Sequence, residues 1–120
     1  MTMPGGAVPS VTPAEASEAA AAGALIVDVR ELDEFTTERI DGVVLVPLSA
    51  FRDRFAELPK DRPLLMLCRA GSRSASATMF LRQNGWSDVR NVDGGMIAWR
   101  QAGLPILTGP PDPGEGDLTR

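Results

Sequence analysis

Apolar positions along the chain fall into two alternating patterns. One is a short run with no polar alternation: Leu25-Ile26-Val27-Asp28-Val29, Val43-Val44-Leu45-Val46 and Leu64-Leu65-Met66-Leu67. Such runs belong to strands buried on both faces, as in parallel sheets. The other pattern is apolar residues at helical spacing. Thr12-Pro13-Ala14-Glu15 opens a helix, with Thr as N-cap, Pro at the first helical position and Glu at the third. That helix is Ala-rich and stops at Gly23. Glu31 to Thr37 reads as a short helix with Leu32 and Phe35 on one face. Ser49 caps a helix through about Leu58, with Phe51, Phe55 and Leu58 along one side. A further helix carries Ala75, Ala77, Met79, Phe80 and Leu81 and ends near Asn84-Gly85. Val89 to Val92 is the last strand of the set, and Ala7 to Val11 is expected as a short edge strand. Met96 to Ala102 forms the final helix, with Ile97 and Trp99 as apolar anchors, and Gly103 ends it.

Strand and helix alternate throughout, with four or five strands. That order predicts an α/β fold: a mostly parallel sheet covered on both faces. Sites in such sheets sit at the carboxyl ends of the strands. Asp28, Cys68 and Asp93 fall at or near such ends. Residues 8–107 are expected to form the domain. Residues 1–7 are small and Pro/Gly-rich and are expected to be flexible. From Thr108 to the end the chain has almost no apolar residues and no periodicity, so 108–120 is expected to be a flexible Pro/Gly-rich tail.

Composition narrows the function. A chain of 120 residues is expected to be one domain with a core of its own. The net charge of −4 gives no electrostatic reason to expect nucleic acid or an anionic membrane as partner. Met1 to Ser10 lacks the basic-then-apolar order of a signal peptide. The longest apolar run, Ala19 to Val27, is too short to span a bilayer. The default expectation is a cytoplasmic monomer. There is no histidine, which removes the usual general base, metal ligand and pH switch together. There is one cysteine, so no internal disulfide, Cys-x-x-Cys pair or thiolate metal cluster can form, and no metal or other cofactor is expected.

That cysteine carries the candidate chemistry. Cys68 stands between the Leu64–Leu67 strand and a helix, in the run Cys68-Arg69-Ala70-Gly71-Ser72-Arg73. Burial in the core is the commonest fate of a lone cysteine. The setting points elsewhere: a strand end, a Gly-containing loop and a helix start. A helix N-terminus offers free N–H groups and about half a positive charge, which favours a thiolate. Gly71 suits a loop that needs positive φ or close approach of a ligand to the backbone. Successive loop N–H groups can form an anion-binding concavity around the sulfur. Arg69 and Arg73 are planar, permanently charged forks suited to an oxyanion such as thiosulfate, and at least one is expected to face the site.

The same six residues resemble the active-site loop of the rhodanese family of sulfurtransferases. The likeness extends from about residue 9 to 107. Leu25 to Glu31 with Phe35 resembles the family's Asp-Val-Arg segment and the acidic helix after it. Ile40-Asp41-Gly42-Val43, continued by Val46-Pro47, resembles its Ile-x-Gly-Ala segment. Asp93-Gly94-Gly95-Met96-Ile97-Ala98-Trp99 and Ala102-Gly103-Leu104-Pro105 resemble its Gly-Gly-x-x-Ala-Trp and Ala-Gly-Leu-Pro signatures. Arg39 departs from the pattern, since many members carry His there. The resemblance implies a single three-layer α/β/α domain with a sheet of about five strands. It implies that Cys68 takes sulfur from a small anionic donor, holds it as a persulfide and passes it to cyanide, a thiol or a protein acceptor. It places Asp28 and Arg30 in a supporting role, as an ion pair or cap. Gly94 and Gly95 are expected to let helix and sheet pack closely behind the site. Met96 is expected to line the pocket or join the core, and Trp99 to lie in the core.

Two other readings remain open. Cysteine phosphatases and arsenate reductases of the same fold place Arg six positions after Cys, but Ser74 holds that position here and Arg73 comes one residue early. A sulfur-carrier or regulatory binding module would use the same loop without steady turnover. Without a second cysteine, the acceptor is external under either sulfur reading.

Overall fold

A computed structural model describes residues 7–118. Its centre is a five-stranded sheet in the order β1-β6-β5-β2-β4, with every pairing parallel. The strands are β1 (Ser10–Val11), β2 (Leu25–Asp28), β4 (Val44–Leu45), β5 (Leu64–Leu67) and β6 (Val89–Val92). A small antiparallel pair, β3 (Glu38–Arg39) with β7 (Leu107–Thr108), lies outside it. The helices are α1 (Pro13–Ala21), α2 (Leu32–Thr37), α3 (Phe51–Arg54), α4 (Ser72–Gln83) and α5 (Gly95–Gln101).

The apolar runs are continuous because both sheet faces are covered. Leu25, Val27, Val29, Leu64, Met66 and Cys68 pack on one side with Phe51, Leu58, Ala77, Leu81 and Trp86, the face of α3 and α4. Ile26, Leu65 and Leu67 pack on the other side with Ala16, Phe35, Met96 and Trp99, the face of α1, α2 and α5. The central strands β2 and β5 are buried at every residue, as the uninterrupted pattern requires.

Local signals act as the sequence indicates at α1. Thr12 Oγ1 accepts from the Glu15 N–H at 3.1 Å, and Glu15 Oε1 accepts from the Thr12 N–H at 2.8 Å, a complete capping box. Other expectations need correction. The helix expected from Ser49 to Leu58 is three short pieces, with 3₁₀ turns at Leu48–Ala50 and Phe55–Glu57 around α3. Ser49 does not cap it: its Oγ donates to Glu31 Oε1 at 2.6 Å. Ile97 is not a core anchor but is 40% exposed, and Met96 and Trp99 are the buried residues of α5.

The expected flexible tail is also different. Residues 107–118 fold back on the domain. Thr108 and Leu107 pair with Glu38 and Arg39, the Leu45 N–H donates to Gly116 O at 2.8 Å, and Leu118 packs against the core. Arg39, which is buried, makes a two-point ion pair with Glu115 and donates to Gly109 O at 2.6 Å. The expected flexibility of residues 1–7 falls, except for Ala7, outside the described residues. No helix of the described residues is long and apolar enough to cross a membrane.

Candidate active site

β5 ends at Leu67 and delivers Cys68 to the carboxyl edge of the sheet, where the chain turns through Arg69, Ala70 and Gly71 into α4. Gly71 is the N-cap of α4, with φ +102°, a conformation that a residue with a Cβ adopts only under strain. No side chain caps this helix. The sulfur stands where a cap would: the Gly71 N–H donates to Cys68 Sγ at 3.1 Å, and Ser74 Oγ lies 3.1 Å from it. Burial pushes the Cys68 thiol up, but hydrogen bonds outweigh it. The Ser74 hydroxyl and the backbone N–H groups of Ser74, Gly71 and Ala70 bring its pKa below the ordinary thiol value.

The loop is also gripped from behind. The Met96 N–H donates to Cys68 O at 2.9 Å and the Ile97 N–H to Arg69 O at 3.0 Å, so the first turn of α5 holds the loop's carbonyls. This contact requires Gly95. A Cβ on Gly95 would lie 2.4 Å from Cys68 O and 2.6 Å from Arg69 O. Gly94 is tight as well, since a Cβ there would lie 2.6 Å from Ala98 Cβ. Gly95 therefore allows a helix end to meet the loop backbone, a closer contact than general helix–sheet packing, whereas Gly94 makes room for Ala98 of its own helix.

Asp28 and Arg30 form a buried pair at the end of β2. Asp28 accepts from Arg30 Nη2 at 2.7 Å, from Nε at 3.0 Å and from the Arg30 N–H at 3.0 Å. Arg30 also donates to Glu38 O at 2.8 Å and Glu34 O at 3.3 Å, tying β2 to α2 and to β3. The sequence-level reading of an ion pair describes the contact, and the structure adds what it holds in place.

The two arginines of the loop differ. Arg73 meets Glu34 of α2 in a two-point pair, both contacts 2.9 Å. The Arg73 hydrogen bond holds the Glu34 carboxyl down to about 2, against the opposing effect of burial. Arg69 is exposed and, among the described residues, has no ion-pair partner. It borders a cavity of about 270 Å³ whose walls include Arg30, Glu34, Glu38, Met96 and Arg100. Cys68 does not line this cavity, which meets the loop through Arg69. Ser72 begins α4 and is exposed, and Ala70 is exposed beside it. Met96 is both buried and on the cavity wall. Among the described residues no group of three or more His, Cys, Asp or Glu side chains is placed to hold a metal ion.

Two residues of the site were not singled out from the sequence as site residues. Ser74 is fully buried against the sulfur, and Asn91 of β6 bonds both Ser74 and the loop. The available signal for Asn91 was its face: it shares one side of β6 with Val89, which packs in the same core as Cys68. A buried amide in a strand needs specific partners.

Comparison with known proteins gives concordant results. The family described as Rhodanese-like domain matches residues 12–102. A sulfurtransferase of Allochromatium vinosum is 40% identical over 83 residues, covering 69% of this chain and 78% of that protein. Thiosulfate sulfurtransferase GlpE of Pseudomonas savastanoi pv. phaseolicola is 36% identical over 90 residues, covering 75% of this chain and 85% of that protein. Among solved structures, a rhodanese-related protein of Thermoplasma volcanium superposes with a TM-score of 0.78 at 31% identity, covering 82% of this chain and 97% of that one.

Proposed function

The chain belongs to the rhodanese-like family, and from that premise we propose that it is a thiosulfate sulfurtransferase working through a persulfide on Cys68. One observation carries the reading: a single thiol with a lowered pKa, cradled by backbone N–H groups at an uncapped helix N-terminus. The Cys68 thiolate attacks the outer sulfur of thiosulfate. A bond forms between Sγ and that sulfur, the donor's S–S bond breaks, and its electron pair leaves with sulfite. The persulfide's charge then rests on the outer sulfur, within reach of the loop N–H groups. Cyanide attacks that sulfur through carbon, the Sγ–S bond breaks, and thiocyanate leaves while Sγ returns to thiolate. A thiol or a protein acceptor can take the sulfur in the same way. This is a two-stage covalent mechanism. Sulfite departs as an anion, so no general acid is required, which suits a chain without histidine.

Arg69 is the side chain best placed to attract the dianionic donor, because Arg73 already neutralises Glu34. The same pairing weighs against phosphatase chemistry, because Arg73, the arginine nearest the position that chemistry uses, is already engaged by Glu34. A free thiol suits a reducing compartment such as the cytoplasm. The test is intact mass after incubation with thiosulfate. The wild type is expected to gain one sulfur atom, lost on adding cyanide with release of thiocyanate, and Cys68→Ala to do neither. Equal thiocyanate release by both proteins overturns the cysteine mechanism. Sulfur uptake without turnover on cyanide or small thiols identifies a carrier that needs a protein acceptor.

A further inference from the structure

Ser74 lies against the reacting sulfur, and Asn91, also buried, reaches that sulfur only through Ser74. Asn91 Nδ2 donates to Gly71 O at 3.0 Å. That contact fixes the amide's orientation, because only the nitrogen end can donate to a carbonyl. Asn91 Oδ1 therefore faces Ser74 Oγ, 2.6 Å away, and the serine must be the donor. Ser74 Oγ is also 3.1 Å from Cys68 Sγ. A hydroxyl has one proton to give, so one proton serves two acceptors, the amide oxygen and the sulfur.

The state of the sulfur decides which acceptor receives it. As a thiol, Sγ–H can donate to Ser74 Oγ while Ser74 donates to Asn91, and every group is satisfied. As a persulfide, Sγ is uncharged and again leaves the serine proton with Asn91. As a thiolate, Sγ draws the proton, because a hydrogen bond to a charged acceptor is roughly twice as strong as a neutral one. Asn91 Oδ1 is then left against an oxygen lone pair.

We propose that Asn91 is a positioning residue acting through Ser74: it holds the serine proton away from Sγ while the sulfur is uncharged and gives it up when the thiolate forms. The proposal rests on the sulfur-transfer reading for its purpose, since the cycle alternates between these states. The amide opposes the thiolate and favours the persulfide. The charged groups around the loop are Arg69 and Arg73, Asp28 and Arg30 at the end of β2, Glu34 on α2 and Asp93 after β6. None of them is hydrogen-bonded to Ser74 or Asn91.

The experiment measures the Cys68 pKa from the pH dependence of iodoacetamide alkylation in the full chain. Four proteins are compared: wild type, Ser74→Ala, Asn91→Ala and the double variant. Ser74→Ala is expected to raise the pKa. Asn91→Ala is expected to lower it by about 0.5–1, the size of one net hydrogen bond. In the Ser74→Ala background the Asn91 substitution is expected to change nothing. If Asn91→Ala does not fold, Asn91→Leu, which keeps the volume, carries the same expectation. An amide that merely braces Gly71 would raise the pKa in both backgrounds, and that result overturns the proposal, as does no change in either. Failure of the sulfur-transfer reading is seen separately, as a wild type that takes up no sulfur while this alkylation pattern holds.

Discussion

Arg73 and Glu34 face each other through two contacts of 2.9 Å, joining the first turn of α4 to α2. Glu34 titrates at about 2, below its ordinary 4.5, because the charged form is held by Arg73. A carboxylate with a depressed folded-state pKa stabilises the fold above its unfolded value, and that contribution fades as pH falls through the folded one. Wild type should therefore be more stable than Glu34→Gln at pH 7. The gap should narrow between about pH 4.5 and about 2 and be gone below that. Thermal melts of both proteins across this range check the expectation. Both side chains are partly exposed, so the gap should also shrink in high salt.

Because Arg73 is engaged, the loop's other arginine should dominate donor binding. Arg69→Ala is expected to raise KM for thiosulfate about tenfold or more, the scale of one hydrogen bond to a charged group, and to change kcat little. Initial rates over a thiosulfate series, with cyanide saturating, make the measurement. A Lys at position 69 should restore part of the loss, since it keeps the charge but not the two-point fork.

Gly95 and Gly42 provide a matched pair of glycine substitutions. Both have positive φ, +57° and +83°, but a Cβ on Gly42 meets nothing within 4 Å, whereas one on Gly95 strikes the carbonyls of Cys68 and Arg69. Gly42→Ala should cost about 1 kcal/mol, the backbone strain alone. Gly95→Ala should cost at least about 2 kcal/mol more, since backbone must move, and should cut sulfur uptake by displacing the loop. Denaturant melts together with intact-mass loading separate the two effects.

These residues also show what the sequence makes legible. The strands β2 and β5 were readable because burial on both faces leaves an uninterrupted apolar run. The thiol loop was readable because a lone cysteine, a glycine and a helix start are adjacent in the chain. Contacts between distant segments were not. Which arginine was free depended on Glu34, 39 residues from Arg73. Ile97 matches the helical spacing of Trp99's neighbours, but the first turn of α5 opens onto the cavity, so it remains exposed. Asn91 was overlooked because one polar residue in a short strand carries little weight until its partners are known.

The C-terminal segment is the clearest case, and it yields the last prediction. Its composition is that of a flexible tail, yet 107–118 docks through few, specific anchors. Arg39 occupies a position where the family often carries His, and it is buried with its charge matched by Glu115 and by Gly109 O. The same segment covers the edge of β4, where the Leu45 N–H donates to Gly116 O and Phe35 lies against Gly116. Removing one partner of a buried pair leaves an uncompensated charge, which costs more than losing both. Glu115→Ala should therefore destabilise the fold by roughly 3 kcal/mol. Arg39→Met with Glu115→Leu should cost much less, because no buried charge remains. A chain ending at Thr108 should lose stability too, and its uncovered β4 edge should promote association. Melting temperatures rank the variants, and size-exclusion chromatography reads the association. A truncated chain that melts with wild type and runs as wild type would show that the segment adds nothing to the fold.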